Sequence, residues 1–97
     1  MRPVQLADIE IAARALLRVA PEARLGVMQD MIQQAEAADR FRTATRRPHP
    51  QFGTGTLMSS AAHWQQAPRP AALGADALQA YSVVLAALLA NASHQSL

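Results

Sequence analysis

Apolar positions recur at helical spacing along most of the chain, and no stretch alternates apolar and polar residues as a strand would. Leu6, Ile9, Ala13, Leu16, Leu17 and Ala20 trace one stripe and predict a first helix over residues 4–19, opened by Pro3. Glu10, Arg14 and Arg18 line another face, with Glu10 and Arg14 paired one turn apart. Pro21 breaks this helix and can open the next, so the first two helices are neighbours with a minimal connection. Val27, Met28, Met31, Ile32, Ala35 and Ala38 predict a second helix over 21–46, with Glu22, Gln29, Gln33, Glu36 and Arg40 on its wet side. Gly26 costs that helix up to ~1 kcal/mol relative to Ala and suggests a close helix crossing.

Past Ala38 the same line continues through Asp39, Arg42 and Arg46. Charged groups on a core-facing line must be paired, or the core must have ended. Asp39 can reach Arg42 or Thr43, so either the helix end is solvated or an Asp39–Arg network pins the loop that follows. Pro48 and Pro50 make residues 47–51 extended and stiff, with His49 between them as a loop anchor bonded to backbone. Gly53-Thr54-Gly55-Thr56 turns the chain, and Thr56 or Thr54 caps a short third helix over 57–65. Ala67-Pro68-Arg69-Pro70 is a rigid linker. The fourth helix, over 75–92, carries a wide stripe of Leu78, Tyr81, Val84, Leu85, Leu88, Leu89 and Ala92. With its alanines it is apolar nearly all round, which marks a central helix or one at a subunit interface. The fold class is therefore all-α: one domain over 1–97, three long helices and one short, closed by a Pro/Gly-rich loop.

Composition sharpens this picture. Hydrophobic residues make up 51% of the 97, but many are Ala, which packs closely and buries little area. A thin core gains from burial against a second copy or a partner. Every basic residue is Arg, and residues 1–47 hold eight of the nine, with six of the seven acids. The C-terminal half is nearly uncharged, as a core or interface would be. The absence of Cys removes disulfides, thiolate metal sites and Cys nucleophiles, and fits a reducing cytoplasm. No signal peptide is visible, and the uncharged run Ala77–Ala92 is short of the ~20 residues a membrane span needs.

Candidate chemistry is sparse. The glycine turn lacks the Lys of a phosphate-binding loop and the preceding strand of a dinucleotide fingerprint. His49, His63 and His94 are not spaced as metal ligands, and Ser59, Ser60 and His63 have no orienting acid, so no catalytic set and no cofactor site is expected. Arg40, Arg42, Arg46 and Arg47, with Phe41, Phe52 and Trp64, form the one cluster suited to nucleic acid or to an acidic protein.

The segment Ala37 to Arg42, with Arg46, His49-Pro50, Gly53, Gly55, Thr56, Leu57 and Met58, resembles a family of small bacterial all-helical proteins of unknown function. They carry an Arg-x-x-His-Pro-x-x-Gly-x-Gly-Thr-Leu-Met loop between helices. The resemblance implies a helical domain organised by that loop, with Asp39, Arg42, Arg46, His49, Phe52, Gly53, Gly55 and Thr56 as its structural or interaction residues, and no chemistry. The expected function is a non-enzymatic adaptor or regulatory subunit that binds another protein or itself. The alternative is a nucleic-acid-binding accessory protein, of the kind found in phage-like DNA packaging or in transcription. A small-molecule site near His49 and the glycine turn is a third reading.

Overall fold

The computed structural model describes residues 1–95. They form α1 (Leu6–Leu16), a 3-10 turn (Pro21–Ala23), α2 (Arg24–Thr45), α3 (Leu57–Ala61) and α4 (Ala75–Gln95). The described residues contain no strand. Their one isolated backbone bridge joins His49 and Gly53. The molecule measures 42 × 29 × 22 Å.

The predicted first helix is longer than the one observed. Gln5 is extended and is the N-cap, so Met1–Val4 stay outside the helix. Those residues cover α2 and the central loop instead, and the Arg2 N–H donates to the Gly55 carbonyl at 2.9 Å. Leu6, expected on the inward stripe, is 86% exposed, and the buried face of α1 is Asp8, Ala12, Ala13, Ala15 and Leu16. At the other end Arg18 and Val19 bond three residues back, tightening the last turn before Pro21. Pro21 then opens a 3-10 turn rather than α2 itself, which begins at Arg24.

Arg24 is the largest fully buried side chain. Its Nε donates to the carbonyls of Leu16 (2.8 Å) and Val19 (3.1 Å), which lie at and just past the C-terminus of α1 and have no partner within that helix. One terminal nitrogen, Nη1, donates to Gln79, and the other, Nη2, pairs with Asp76 at 2.8 Å. Gln79 and Asp76 both lie near the start of α4, where an acid also suits the helix dipole. One guanidinium thus fixes the end of α1 against the starts of α2 and α4.

Met28, Met31, Ile32, Ala35 and Ala38 carry the buried face of α2, as its spacing predicts. Gly26 does not mark a crossing: it is exposed, with open space where a Cβ would stand. The four-residue pair expected between Glu10 and Arg14 is also rearranged. Glu10 pairs with Arg69, and Arg14 donates to the Ala67 carbonyl while its own carbonyl accepts from Ala67 N–H. These contacts strap the Pro-rich linker along α1. Helix α3 ends at Ala61, short of the predicted 65, and Trp64 follows on bonds to residues three back. Ser60 Oγ ties α3 to the Met31 carbonyl of α2 at 2.8 Å.

The largest correction concerns α4. It is not a buried central helix: 22% of Ala75–Ser93 is buried, and by length and composition that stretch could cross a membrane. Ala77, Ala80, Val84 and Ala87 face inward, whereas Leu78 (54% exposed), Leu85 (51%) and Leu89 (69%) face solvent. Small residues meet small residues where α4 crosses α1, whose buried face is also mostly Ala, so the helices can approach closely. Turning the leucines inward would force them apart. The helix stays regular to Gln95, beyond the predicted 92, and the side chains of His94 and Gln95 and residues 96–97 lie outside the described set.

The Arg24 clasp has a lopsided energetic signature. Arg24→Met removes the side-chain donor from the Val19 carbonyl and one of two donors from the Leu16 carbonyl, unties Gln79 and Asp76 of α4, and is expected to cost about 2–4 kcal/mol. Asp76→Asn is expected to cost under ~1 kcal/mol, because Asp76 is 65% exposed and water screens its share of the pair. Urea unfolding at neutral pH reads both, and equal costs for the two substitutions would contradict this account.

Candidate functional site

The central loop is held from three sides. Asp8, buried in the first turn of α1, accepts from its own N-cap Gln5 N–H at 2.6 Å and from Met58 N–H at 2.9 Å. One carboxylate therefore caps α1 and orients the N-terminus of α3. Thr56 Oγ1 caps α3 by accepting from Ser59 N–H, and Ser59 Oγ accepts from Thr54 N–H. Arg42 donates to the Thr54 carbonyl at 3.2 Å.

Gly53 and Gly55 both adopt positive φ, +85° and +94°. A Cβ on Gly55 would lie 2.8 Å from the Asp39 Cα, so the loop presses its backbone directly on α2. A Cβ on Gly53 would strike Ser59 at 2.7 Å. These glycines are spacers between packed backbones and do not form an open cradle for an anion.

Asp39 pairs with the N-terminal ammonium of Met1 (3.1 Å) and with Arg2 (3.3 Å), not with Arg42 as the spacing suggests. The Met1 ammonium also meets Glu36, which accepts from Asn91 of α4 as well. The charged continuation of the α2 face thus binds the N-terminal segment through Asp39 and the loop through Arg42.

His49 stands at the loop's centre. Its Nδ1 accepts from the N–H groups of Gln51 (3.0 Å) and Phe52 (3.1 Å). Its ring stacks on Phe52 at 4.7 Å and meets Phe41 edge-on at 5.1 Å. Residues 47–51 are not uniformly extended, because His49 and Gly53 exchange backbone bonds of 2.7 and 3.1 Å around a turn at 50–52. A ring bonding the backbone three residues ahead draws the chain into that turn.

The arginine cluster divides. Arg42 is half-buried and bonded to the loop, while Arg40, Arg46 and Arg47 are exposed and make no side-chain ion pair among the described residues. Arg46 takes the left-handed conformation (φ 60°) that terminates α2 and is usually left to Gly or Asn. Phe41 and Phe52 are both partly buried and both contact the His49 ring, Phe41 edge-on and Phe52 by stacking. Trp64 is half-buried beside a cavity of about 260 Å³ that Phe52, His63, Gln34 and Gln51 also line, and its Nε1 is buried with no hydrogen-bond partner among the described residues. His63 Nδ1 lies 3.0 Å from the Ser59 carbonyl, and Ser60 donates to Met31, so neither serine is set against a histidine nitrogen. Among the described residues no three His, Cys, Asp or Glu side chains gather as metal ligands would.

A second surface escapes the spacing argument. Leu78, Leu85 and Leu89 of α4, with Leu25 of α2, are the leucines most exposed along these two helices. Beside them a shallow groove of about 600 Å³ runs between α2 and α4, lined by Leu25, Gln29, Gln33, Ala86, Ala90 and Asn91 with Ile32 and Ala87 at its floor. Its polar lining is amide only. The signal was present as two opposed stripes in α4, one of Ala and Val and one of Leu, but residue size and not hydrophobicity decides which faces in.

Two glycines separate the roles of backbone conformation and space. Gly55→Ala is expected to cost more than ~2 kcal/mol, from positive φ plus overlap with α2. Gly26→Ala is expected to add about 0.5–1 kcal/mol, raising the melting temperature by roughly 2–8 °C in a chain this short. Thermal unfolding of both variants checks the pair, and a neutral Gly55→Ala would show that the loop does not press on α2.

No curated protein and no solved structure matches the chain. A family model does, over residues 2–88, which include α1 to α3, the loop and the first two thirds of α4: the chain belongs to the family described as a domain of unknown function (DUF7742).

Proposed function

We propose that this protein is a non-enzymatic interaction module, an adaptor or regulatory subunit of the cytoplasm, whose working surface is the outward face of α4 with the adjoining edge of α2. One observation carries the reading. A helix of this domain buries its small residues and leaves Leu78, Leu85 and Leu89 in water. Side chains of that size are worth about 1.5–3 kcal/mol each when removed from water, and a contiguous row of them marks a docking face. The Pro/Gly loop is then the clasp that holds the scaffold, and its pattern from Arg46 to Met58 is our candidate for what unites the family.

The second reading, nucleic-acid binding, rests on Arg40, Arg46 and Arg47, which are exposed and make no ion pair among the described residues. The aromatics nearest to them, Phe41 and Phe52, already pack against His49, which weakens the case for base stacking there. A mobility shift at low salt that disappears when these three arginines become Ala would favour it over the first.

The interaction reading predicts a separation of binding from stability. Leu85→Glu together with Leu89→Glu is expected to abolish recovery of the protein's partner, whether its own copy or another chain, in affinity capture followed by mass analysis. The same change is expected to move unfolding free energy by no more than about 0.5 kcal/mol per site, since neither leucine is part of the core. Recovery of partners unaffected by both charges would remove α4 as the working surface.

A further inference from the structure

We infer that the cavity beside Trp64 binds a neutral, amino-substituted nitrogen heterocycle of nucleobase type, its edge bonded by Gln34, Gln51 and His63 and its face against the Trp64 indole. None of these residues belongs to α4 or to the groove beside it. The inference therefore goes beyond the interaction reading and stands or falls apart from it.

Three parts of the chain build the site. Gln34 comes from α2, Gln51 and Phe52 from the turn that His49 closes, and His63 and Trp64 from the residues just past α3. Ser59 and Thr56 brace the turn against α3, and Ser60 ties α3 to α2. The cavity thus stands on fixed backbone, and the exposed residues Gln51 and His63 mark its side open to solvent.

Unspent polar capacity distinguishes this cavity. The side-chain amides of Gln34 and Gln51 make no hydrogen bond among the described residues, and each offers a carbonyl acceptor and an NH2 donor. His63 Nδ1 lies 3.0 Å from the Ser59 carbonyl, which can only accept. Nδ1 therefore carries the hydrogen, and Nε2 of the neutral ring is left as an acceptor. Trp64 Nε1 is a buried donor with no hydrogen-bond partner among the described residues, which is costly. An acceptor on the ligand, reached by a tilt of the half-buried indole, would supply what the fold does not. The indole also has no ring contact among the described residues, whereas Phe52 already has one face on His49.

Size and charge select the ligand. A volume of about 260 Å³ falls below the roughly 300–1,000 Å³ of cavities that enclose drug-sized molecules, so a single ring system fits. No Asp, Glu or Arg lines the cavity, so a carboxylate, phosphate or ammonium would enter it without a counter-ion. Trp64 and Phe52 favour a flat apolar body. Two amides and an imidazole acceptor favour an edge on which donors stand beside acceptors. An exocyclic amine next to a ring nitrogen is such an edge, and a Gln amide pairs with that of adenine through two hydrogen bonds. Purely aliphatic or hydrocarbon ligands would leave all of these polar groups without partners.

The chain has one Trp, so its indole N–H is a single peak in a nitrogen–proton correlation spectrum. Titration of the intact chain with adenine to about 5 mM should move that peak and the side-chain amide peaks of Gln34 and Gln51 along one curve, with a dissociation constant of about 0.1–2 mM for a ligand this small. Benzoate, flat but charged, should leave them in place. Gln34→Ala with Gln51→Ala should weaken adenine at least ~10-fold with an unchanged circular dichroism spectrum, since neither amide is bonded within the fold. Adenosine and a short oligoadenylate at equal base concentration identify the source of the base. Equal affinity for all three supports a free base or nucleoside. Tighter binding of the strand that is lost when Arg46 and Arg47 become Ala supports a base presented by nucleic acid in the same cavity. Peaks that do not move would leave the cavity to water alone and overturn the inference. Shifts that persist in the double variant, or that benzoate reproduces, would overturn it as unspecific stacking.

Discussion

A single guanidinium sets the angles between the long helices. Helix α1 ends with carbonyls that nothing within the helix can satisfy, and the chain must turn there to start α2. Arg24, the first residue of α2, folds back over that end and spends its remaining nitrogens on Asp76 and Gln79 at the start of α4. The charge sits where the electrostatics favour it: beside the negative end of α1 and across from an acid in the first turn of α4. A lysine could not substitute, because its compact ammonium offers no planar fork to reach the end of α1 and the start of α4 at fixed directions. In a core made largely of alanine, burial supplies little directional information. Hydrogen bonds of fixed geometry therefore decide how the helices cross.

The loop performs the complementary task along α1, α2 and α3. Asp8 spans from the first turn of α1 to the first turn of α3, and Asp39 with Arg42 holds the N-terminal segment and the loop against α2. His49 shapes the turn by binding backbone on one nitrogen while its ring fills the space between Phe41 and Phe52. Each of these groups has a structural partner in the fold.

Helices were legible because period, proline and capping residues are local properties. Met28, Met31, Ile32, Ala35 and Ala38 could be assigned to one buried face from spacing alone. The central loop stood out by its prolines and glycines, and the need for Gly at 53 and 55 follows from φ values that such a turn imposes. Partners were not legible. Nothing near Arg24 in sequence announces Leu16, Gln79 and Asp76, and Asp39 has a plausible but wrong partner one turn away in Arg42. Long-range pairing depends on how helices cross, which no window of the chain encodes. The orientation of α4 failed for a different reason. Its apolar residues surround the helix, so periodicity offers two inward faces, and hydropathy favours the leucines.

Volume resolves that ambiguity, and it ties the core to the surface. Helix α4 packs on both α1 and α2, and the α1 face it meets is built from Ala12, Ala13, Ala15 and Leu16. A stripe of leucines inserted there would need several ångströms more between the axes, since helix separation follows the side chains at the contact. Arg24 forbids that expansion, because Asp76 and Gln79 must stay within hydrogen-bond reach of a side chain already fixed to Leu16. Rotating α4 by half a turn would carry both of them away from the clasp. The alanines must therefore face in, and a helix with this sequence has leucines on its other side. The exposed row of Leu78, Leu85 and Leu89 is thus not a packing defect that a better rotation could hide. It is the necessary outer face of a helix held by Arg24, and its burial requires a surface from outside the chain.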